Sequence, residues 1–489
     1  MKNKTYVAID LGATSGRVVS GKFDGKKLQL IEEHRFINNP VNILGTVYWD
    51  ILFIYQNILK GLKKSSDKNE ISSIAIDSWG SDYALFDKKG KMLENPIHYR
   101  DNMSKGMAEE LYKVYSKDKL YVKTGIQHMR LNALYRVFYM AQNHYTPYEN
   151  AQRLLMIPDI ITYFLTGEMV NEFTNATTTQ MVDAKTKDWA YDMLSGLGIN
   201  TSIFKKPKTA GEKQIPLLRN ILGKDTELSL VGTHDTASAV GAVPSTEKDF
   251  IYISSGTWSL VGTETDEPII DKKSVKYNFT NEGGVFGKNR LLKNVMGMWI
   301  LEELRREWDA RGESLPYSEI IEKTNQAKPF ERIIDPDSPE FGDMGDMEKK
   351  INRFLKNTGQ PAAKTVGELS RCLFESLALK YKYVIEKISE MTGKTYNSVH
   401  IVGGGSKNML LNQLTADVCE MEVIAGPEEA TAAGNIMMQS YACKDISGIV
   451  ELREIVKNSF DLKRFQPNIS TAAKDGYSKL INIINSTNN

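Results

Sequence analysis

The chain has 489 residues, 41% of them hydrophobic and 25% charged, with 62 Lys+Arg against 61 Asp+Glu and a net charge of +1. That much apolar material excludes disorder as its main character. The even balance excludes the overall basic excess on which nucleic-acid or anionic-membrane binders draw for affinity.

At roughly 100–200 residues per domain, the length predicts about two to four domains. The N-terminus opens with lysines, but Asp10 interrupts its apolar run, so no signal-peptide core is expected. No stretch approaches the ~20 apolar residues of a membrane span. Cys372, Cys419 and Cys443 are few, scattered and odd in number, which argues against a disulfide framework or zinc knuckle and fits a reducing cytoplasm.

In chain order, residues 6–9 read as a strand, 12–16 as a turn of small residues, and 17–23 and 28–32 as strands around the hairpin signal Asp24-Gly25. Helical periodicity runs over 49–62, with Asp50 near its start. Residues 71–77 and 83–86 read as strands. The stretch 101–167 is predicted to be largely helical, broken at Gly125 and Pro158, and 228–232 is a short apolar run. Residues 250–262 then repeat the strand, glycine turn, strand layout of 6–21. Residues 294–311 are predicted helical, and 365–391 form a long amphipathic helix ended by Thr392-Gly393. A strand at 398–402, a helix at 408–420, a strand at 422–425 and a helix at 429–441 alternate as in an α/β sheet. Residues 334–350 read as a loop, and the tail after Ser470 as frayed. The repeated layout predicts two related halves, residues 1–245 and 246–489.

Four segments carry chemistry. The turn Asp10-Leu11-Gly12-Ala13-Thr14-Ser15-Gly16-Arg17 offers close backbone approach, N–H groups and hydroxyls for phosphate oxygens, and a carboxylate at a strand end for hydrated Mg²⁺. Ser254-Ser255-Gly256-Thr257-Trp258-Ser259 is a second such turn. Each is also an ordinary hairpin in composition, and the pair is more specific than either. Gly403-Gly404-Gly405 lies between a strand and a helix N-terminus, a surface for a nucleotide's sugar and base. In Thr233-His234-Asp235-Thr236, a carboxylate can accept a proton from a substrate hydroxyl. It can equally cap the helix that follows, and the residues alone leave both open. Asp77 to Asp82 and Tyr99-Arg100-Asp101 can hydrogen-bond a polyol or serve as turns. His34, His98, His128, His144 and His400 show no ligand spacing.

Ten segments, DLGATSGR, IDSWGSDY, YRD, TNATTTQ, HDTASAV, SSGTWSL, TNEGG, KNVMGMW, HIVGGGSKN and AGPEEATAAGN, follow one another from Asp10 to Asn435. In this order they resemble the FGGY carbohydrate kinases of the actin/sugar-kinase ATPase superfamily. The resemblance implies an α/β fold of two RNase H-like domains with the active site between them. It implies ATP- and Mg²⁺-dependent phosphorylation of L-rhamnulose to its 1-phosphate, by a cytoplasmic monomer or homodimer. By position, Asp235 is then the catalytic base and Asp10 faces the metal. Ala13, Thr14, Ser15, Gly16 and Arg17 form the first ATP loop, Thr257 belongs to the second, and Gly404 to the adenosine surface. Gly80, His234, Asp235, Thr236 and Asn294 match sugar-contacting positions. Glu302 stands where the family has an ATP-contacting Gln, and a carboxylate there would be repelled by phosphates. Other readings are a kinase for L-fuculose or a pentulose, a non-kinase actin-like ATPase, and a regulator without catalysis. The intact Asp10 and Asp235 argue against the last.

Overall fold

The computed structural model describes residues 3–212, 214–223 and 225–487. Its contacts divide it into two compact units. One comprises Met1–Thr246, Glu264–Leu291 and Ala430–Phe460; the other comprises Glu247–Thr263, Leu292–Glu429 and Asp461–Asn489.

The first unit is built on a six-stranded mixed sheet. Lys4–Leu11 and Ser15–Phe23 pair antiparallel across the glycine turn, and Leu28–Ile37 continues the meander. The hairpin after Phe23 is closed by Asp24, whose Oδ1 accepts the N–H groups of Lys26 and Lys27 at 2.8 and 2.7 Å. On its other edge Lys4–Leu11 pairs parallel with Ile71–Ser78, which pairs parallel with Glu227–Ser229. The helix Ile51–Ser66 starts where predicted because Asp50 caps it, accepting Phe53 N–H at 3.0 Å. Its buried face, with Ile54, Ile58 and Leu62, packs with Val7, Ile9, Ile74 and Ile76 of the sheet. A second cluster is mostly helical and gathers Leu111, Leu120, Leu134, Phe138 and Trp189.

The second unit repeats the hairpin-plus-parallel-strand pattern. Ile251–Ser255 pairs antiparallel with Trp258–Thr265 and parallel with Ser398–Val402. Ser398–Val402 pairs parallel with Glu422–Ala425, and Lys463–Phe465 closes that edge antiparallel. The helix Val366–Thr392 has a reciprocal cap between Thr365 and Glu368 and ends at left-handed Gly393.

Residues 101–167 are largely helical as expected, in several short helices, with one strand, Arg153–Met156, that pairs with Tyr83–Phe86. Four expectations need correction. Gly125 does end a helix, but Pro158 lies in the first turn of Ile157–Thr166, where its missing N–H costs nothing. Residues 294–311 are not one helix: Asn294 lies on the strand Asn289–Met296, and the helix is Trp299–Ala310. The 334–350 loop contains a 3₁₀ turn, Pro339–Phe341, and the start of the helix Met347–Asn357. The tail forms the helix Thr471–Thr487, which buries Ala473, Leu480, Ile483 and Ile484; the final two residues lie outside the described residues. Its apolar spacing outweighs its polar composition.

In the first unit the helices Asp235–Gly241 and Ala430–Ala442 touch backbone to backbone, because a Cβ on Gly434 would overlap the Ser238 carbonyl. Gly434→Ala should therefore lose roughly 1–3 kcal/mol in urea denaturation. Gly196→Ala, at a helical position with open space around it, should stay within about 0.5 kcal/mol of the parent.

Candidate active site

Three acidic side chains arrive at neighbouring strand ends in the first unit. Asp10 and Asp77 are direct register partners near the C-terminal ends of parallel strands. Ser78 N–H donates to Thr233 O at 2.8 Å, which brings His234 and Asp235 to the same edge. The C-terminal edge of parallel strands is where α/β sheets bind ligands.

These carboxylates sense one another. Burial, and then the nearby Asp10, push the Asp77 carboxyl well above the usual range, with Asp235 adding to the effect. No donor among the described residues reaches the buried Oδ1 of Asp77. Its Oδ2 accepts Asn435 Nδ2 at 2.6 Å, and Gln439 Nε2 holds Asn435 Oδ1 at 2.8 Å. Asp10 is paired with the Arg17 guanidinium. Asp235 also has its carboxyl raised by burial; His234 opposes the shift and Asp10 adds to it. Asp235 Oδ1 accepts the N–H of the next residue, Thr236, at 2.5 Å; Asp235 is the first residue of the helix, whose cap position is His234, so it does not act as the helix cap. The side chain is still 30% exposed, and no described donor engages Oδ2.

The segment around Asp235 is held from behind. His234 Nδ1 lies 3.3 Å from Glu282 Oε2 and 2.9 Å from Arg290 Nη2. Arg290 Nη2 donates to Glu282 at 2.9 Å. Burial alone would raise the Glu282 carboxyl, but the Arg290 guanidinium and His234 keep it below its usual range. Glu172 is fully buried, and its Oε2 accepts five hydrogen bonds, from the N–H and Oγ1 of both Thr174 and Thr233 and from Asn175 N–H, at 2.6–3.3 Å. Thr174 Oγ1 in turn accepts His234 N–H at 3.1 Å.

Gly80 sits against Thr178, whose side-chain atoms would lie 2.6–2.8 Å from an added Cβ, and Ser81 N–H donates to Thr178 Oγ1 at 2.9 Å. Buried Asp82 accepts Trp49 Nε1 at 2.6 Å and Trp79 Nε1 at 2.9 Å. Asp101 accepts Val47 N–H at 2.9 Å and Met103 N–H at 2.8 Å.

Ala13 and Thr14 lie in the turn of the first hairpin, with Thr14 exposed, and Ser15 opens its return strand. Gly16 carries the Phe36 ring against its backbone, a packing reason for that glycine. In the second unit, Gly256 and Thr257 dock on the start of the helix Trp299–Ala310: Met298 N–H donates to Gly256 O at 3.4 Å and Trp299 N–H to Thr257 O at 3.0 Å. The three glycines differ in purpose. Gly403 has a φ of +84°, Gly405 leaves no room for a Cβ beside Ser255, and Gly404 faces open space. Glu302 is exposed in the first turn of its helix, 3.5 Å from Arg305. Asn294 is half-buried on its strand.

The first unit thus brings together Asp10, the turn from Ala13 to Arg17, Gly80, His234, Asp235 and Thr236. The second carries Thr257, Asn294, Glu302 and Gly404. Sequence reasoning named Asp77 only within the segment 77–82, as a polyol contact or a turn, and did not single out Glu172, the Glu282–Arg290 pair or Asn435 as site residues. A signal for Asp77 was present: Ala8-Ile9-Asp10 and Ala75-Ile76-Asp77 are the same string on two predicted strands.

The N-terminal-domain profile of the FGGY family of carbohydrate kinases matches residues 5–239, and the C-terminal-domain profile matches residues 251–443. Rhamnulokinase of Bacteroides thetaiotaomicron is 40% identical over 97% of this chain and 98% of its own. Rhamnulokinase of Oceanobacillus iheyensis is 41% identical over 93% and 97%. The chain belongs to the FGGY family of carbohydrate kinases. Among solved structures it is similar to ligand-bound xylulose kinase of Lactobacillus acidophilus (TM-score 0.81, 18% identity, 99% and 98% covered). It is also similar to Plasmodium falciparum glycerol kinase with ADP (TM-score 0.78, 15% identity, 99% and 98% covered). Those likenesses establish the two-domain, actin-like ATPase fold. No described helix is long and apolar enough to cross a membrane.

Kinases of this family use ATP, generally with a divalent metal. The donor set fits a metal that keeps much of its water. Among the described residues no group of three His, Cys, Asp or Glu could hold an ion unaided. Magnesium needs only one or two carboxylates besides water and phosphate, and Asp10 and Asp77 crowd negative charge that a cation would relieve.

Behind Glu172 lies Asp159, buried and raised to about 8 chiefly by that burial. It accepts Asn171 Nδ2 at 2.8 Å and Glu172 N–H at 3.2 Å. The folded state keeps this proton at a pH where an unfolded Asp, ordinarily near ~4, has lost it. Stability from this group is therefore full below about pH 4 and falls as pH rises to about 8. Asp159→Asn should flatten the fall over that window in melting curves, and an unchanged pH slope would contradict the assignment.

Proposed function

We propose that this carbohydrate kinase transfers the γ-phosphoryl group of ATP to the primary hydroxyl of L-rhamnulose. The products are L-rhamnulose 1-phosphate and ADP, in cytoplasmic L-rhamnose breakdown, by a monomer or homodimer. The near full-length likeness to rhamnulokinases supports the substrate. The observation that carries the chemistry is Asp235, with one oxygen fixed by Thr236 and the other open, next to the Asp10–Asp77 pair. We keep residues 1–245 and 246–489 as the two family halves.

In this reading the sugar O1 attacks the γ-phosphorus in line, the new O–P bond forms, and the bond to the β-phosphate oxygen breaks. Asp235 Oδ2 takes the hydroxyl proton. Burial and the nearby Asp10 raise the Asp235 carboxyl, which makes its ionised form a better base. Thr236 and His234 fix its orientation, and the Glu282–Arg290 pair fixes His234. Magnesium, held by Asp10 and by Asp77 once deprotonated, would neutralise phosphate charge. The N–H groups and hydroxyls of Ala13, Thr14, Ser15 and Gly16 with Arg17, and Thr257, bind phosphate oxygens. Gly404 gives the adenosine a flat approach. Glu302, turned to Arg305 and solvent, is assigned no phosphate contact. Gly80 and Asn294 are assigned to the sugar.

Asp235→Asn should retain ATP and ketose binding by calorimetry while kcat falls by at least about 10²–10⁴-fold; near-normal kcat would remove Asp235 as the base. In a coupled ADP-release assay, L-rhamnulose should give a higher kcat/KM than L-fuculose, xylulose or ribulose. A higher value for any of these would transfer the assignment to that ketose.

A further inference from the structure

We propose that Asn38 is a positioning residue for the nucleotide, shaping the first phosphate turn without touching substrate itself. The inference rests on assigning residues 13–17 to ATP phosphate. Asn38 follows the strand Leu28–Ile37, whose last residue is in register with Ser15. It is buried, although its neighbours Ile37 and Asn39 are exposed. Its side-chain Nδ2 donates to Gly12 O at 3.0 Å, and its own N–H donates to Thr14 O at 3.0 Å. One residue thus draws two carbonyls of the same turn toward itself.

Peptide geometry gives this clamp its consequence. In a trans peptide the C=O of one residue and the N–H of the next point in opposite directions. With Gly12 O and Thr14 O drawn to Asn38, the N–H groups of Ala13 and Ser15 are turned to the opposite side. A third carbonyl, Ser15 O, is held by Gly12 N–H at 2.9 Å. With these three carbonyls held, the Ala13 and Ser15 N–H groups are directed to the side away from Asn38, where they can donate to an anion.

The second unit reaches a similar arrangement by other means. Gly256 O and Thr257 O accept the N–H groups of Met298 and Trp299, which turns the N–H groups of Thr257 and Trp258 the other way. There the clamp is backbone from the next helix; in the first unit it is one asparagine. No other side-chain type of that length supplies a neutral donor at this position, since Asp would place an acceptor against the Gly12 carbonyl.

The test is steady-state kinetics on Asn38→Ala and the isosteric Asn38→Asp, with Asn42→Ala as control. Asn42 caps the exposed turn of the neighbouring hairpin by accepting Gly45 N–H at 3.1 Å. Loss of one such hydrogen bond should raise KM for ATP about tenfold in Asn38→Ala. Asn38→Asp should raise it further, while the ketose KM stays within about twofold and the control is unchanged in both. Equal rises in both KM values together with a lower Tm would mean a merely structural role and overturn the proposal. An unchanged KM for ATP in both variants would do the same. Calorimetric titration with MgADP, without ketose, separates this from the substrate assignment. If the parent binds MgADP but phosphorylates none of the ketoses, weaker MgADP binding by the variants still supports Asn38, and equal binding overturns it.

Discussion

The structure of the site depends on a repulsion. Asp10 and Asp77 stand opposite each other on adjacent parallel strands, and Asp235 enters at the same edge. The strand register alone makes Asp10 and Asp77 neighbours, because the hydrogen-bond ladder fixes which residues pair. Carboxylates so close in a buried place cannot all ionise without a counter-charge. The molecule answers with Arg17 on Asp10, an amide chain from Gln439 through Asn435 on Asp77, and a backbone N–H on Asp235. Each answer is partial. What remains is a cluster of carboxylates whose mutual repulsion is only partly relieved.

Holding such a cluster requires rigid support, and here the support is also polar. Glu172 gathers the start of one helix and the segment leading to His234 on one carboxylate oxygen, while Asp159 anchors Glu172's own backbone. A purely apolar contact is non-directional and would not fix the rotation of the 233–236 backbone. Hydrogen bonds set it, at the desolvation cost that raises both carboxyl groups.

Much of the fold was legible because the chain obeys local rules where it matters. The hairpin at Asp24-Gly25, the helix capped by Asp50 and the long helix from Thr365 to Gly393 all appear where their signals stand. Asp10, Asp235 and both glycine turns were visible as loops of small residues after apolar runs. Asp77 was visible only as a polyol contact or a turn residue, because its place beside Asp10 comes from strand register across 67 residues of sequence. Glu172 and the Glu282–Arg290 pair were opaque for the same reason: their partners are distant, and nothing local marks a buried carboxylate. The strand containing Asn294 was misread because Leu, Lys, Val and Met serve helices and strands alike, and the separating Gly297 was read through. That glycine is needed where the backbone meets Ser259.

The two glycine turns show why motif and mechanism are only loosely tied. Both units carry a strand, a glycine turn and a return strand, with a parallel strand beside the first. The turns share composition, yet their carbonyls are held differently: by the single residue Asn38 in one, and by the Met298 and Trp299 backbone in the other. What the repeat shares is therefore that two turn carbonyls in each unit are held by a donor outside the turn, not the residues that supply it. A comparison of the two halves by residue identity would miss the correspondence, whereas the fate of each turn carbonyl recovers it. A buried backbone carbonyl must find a donor, and which donor it finds decides which N–H groups remain for a ligand.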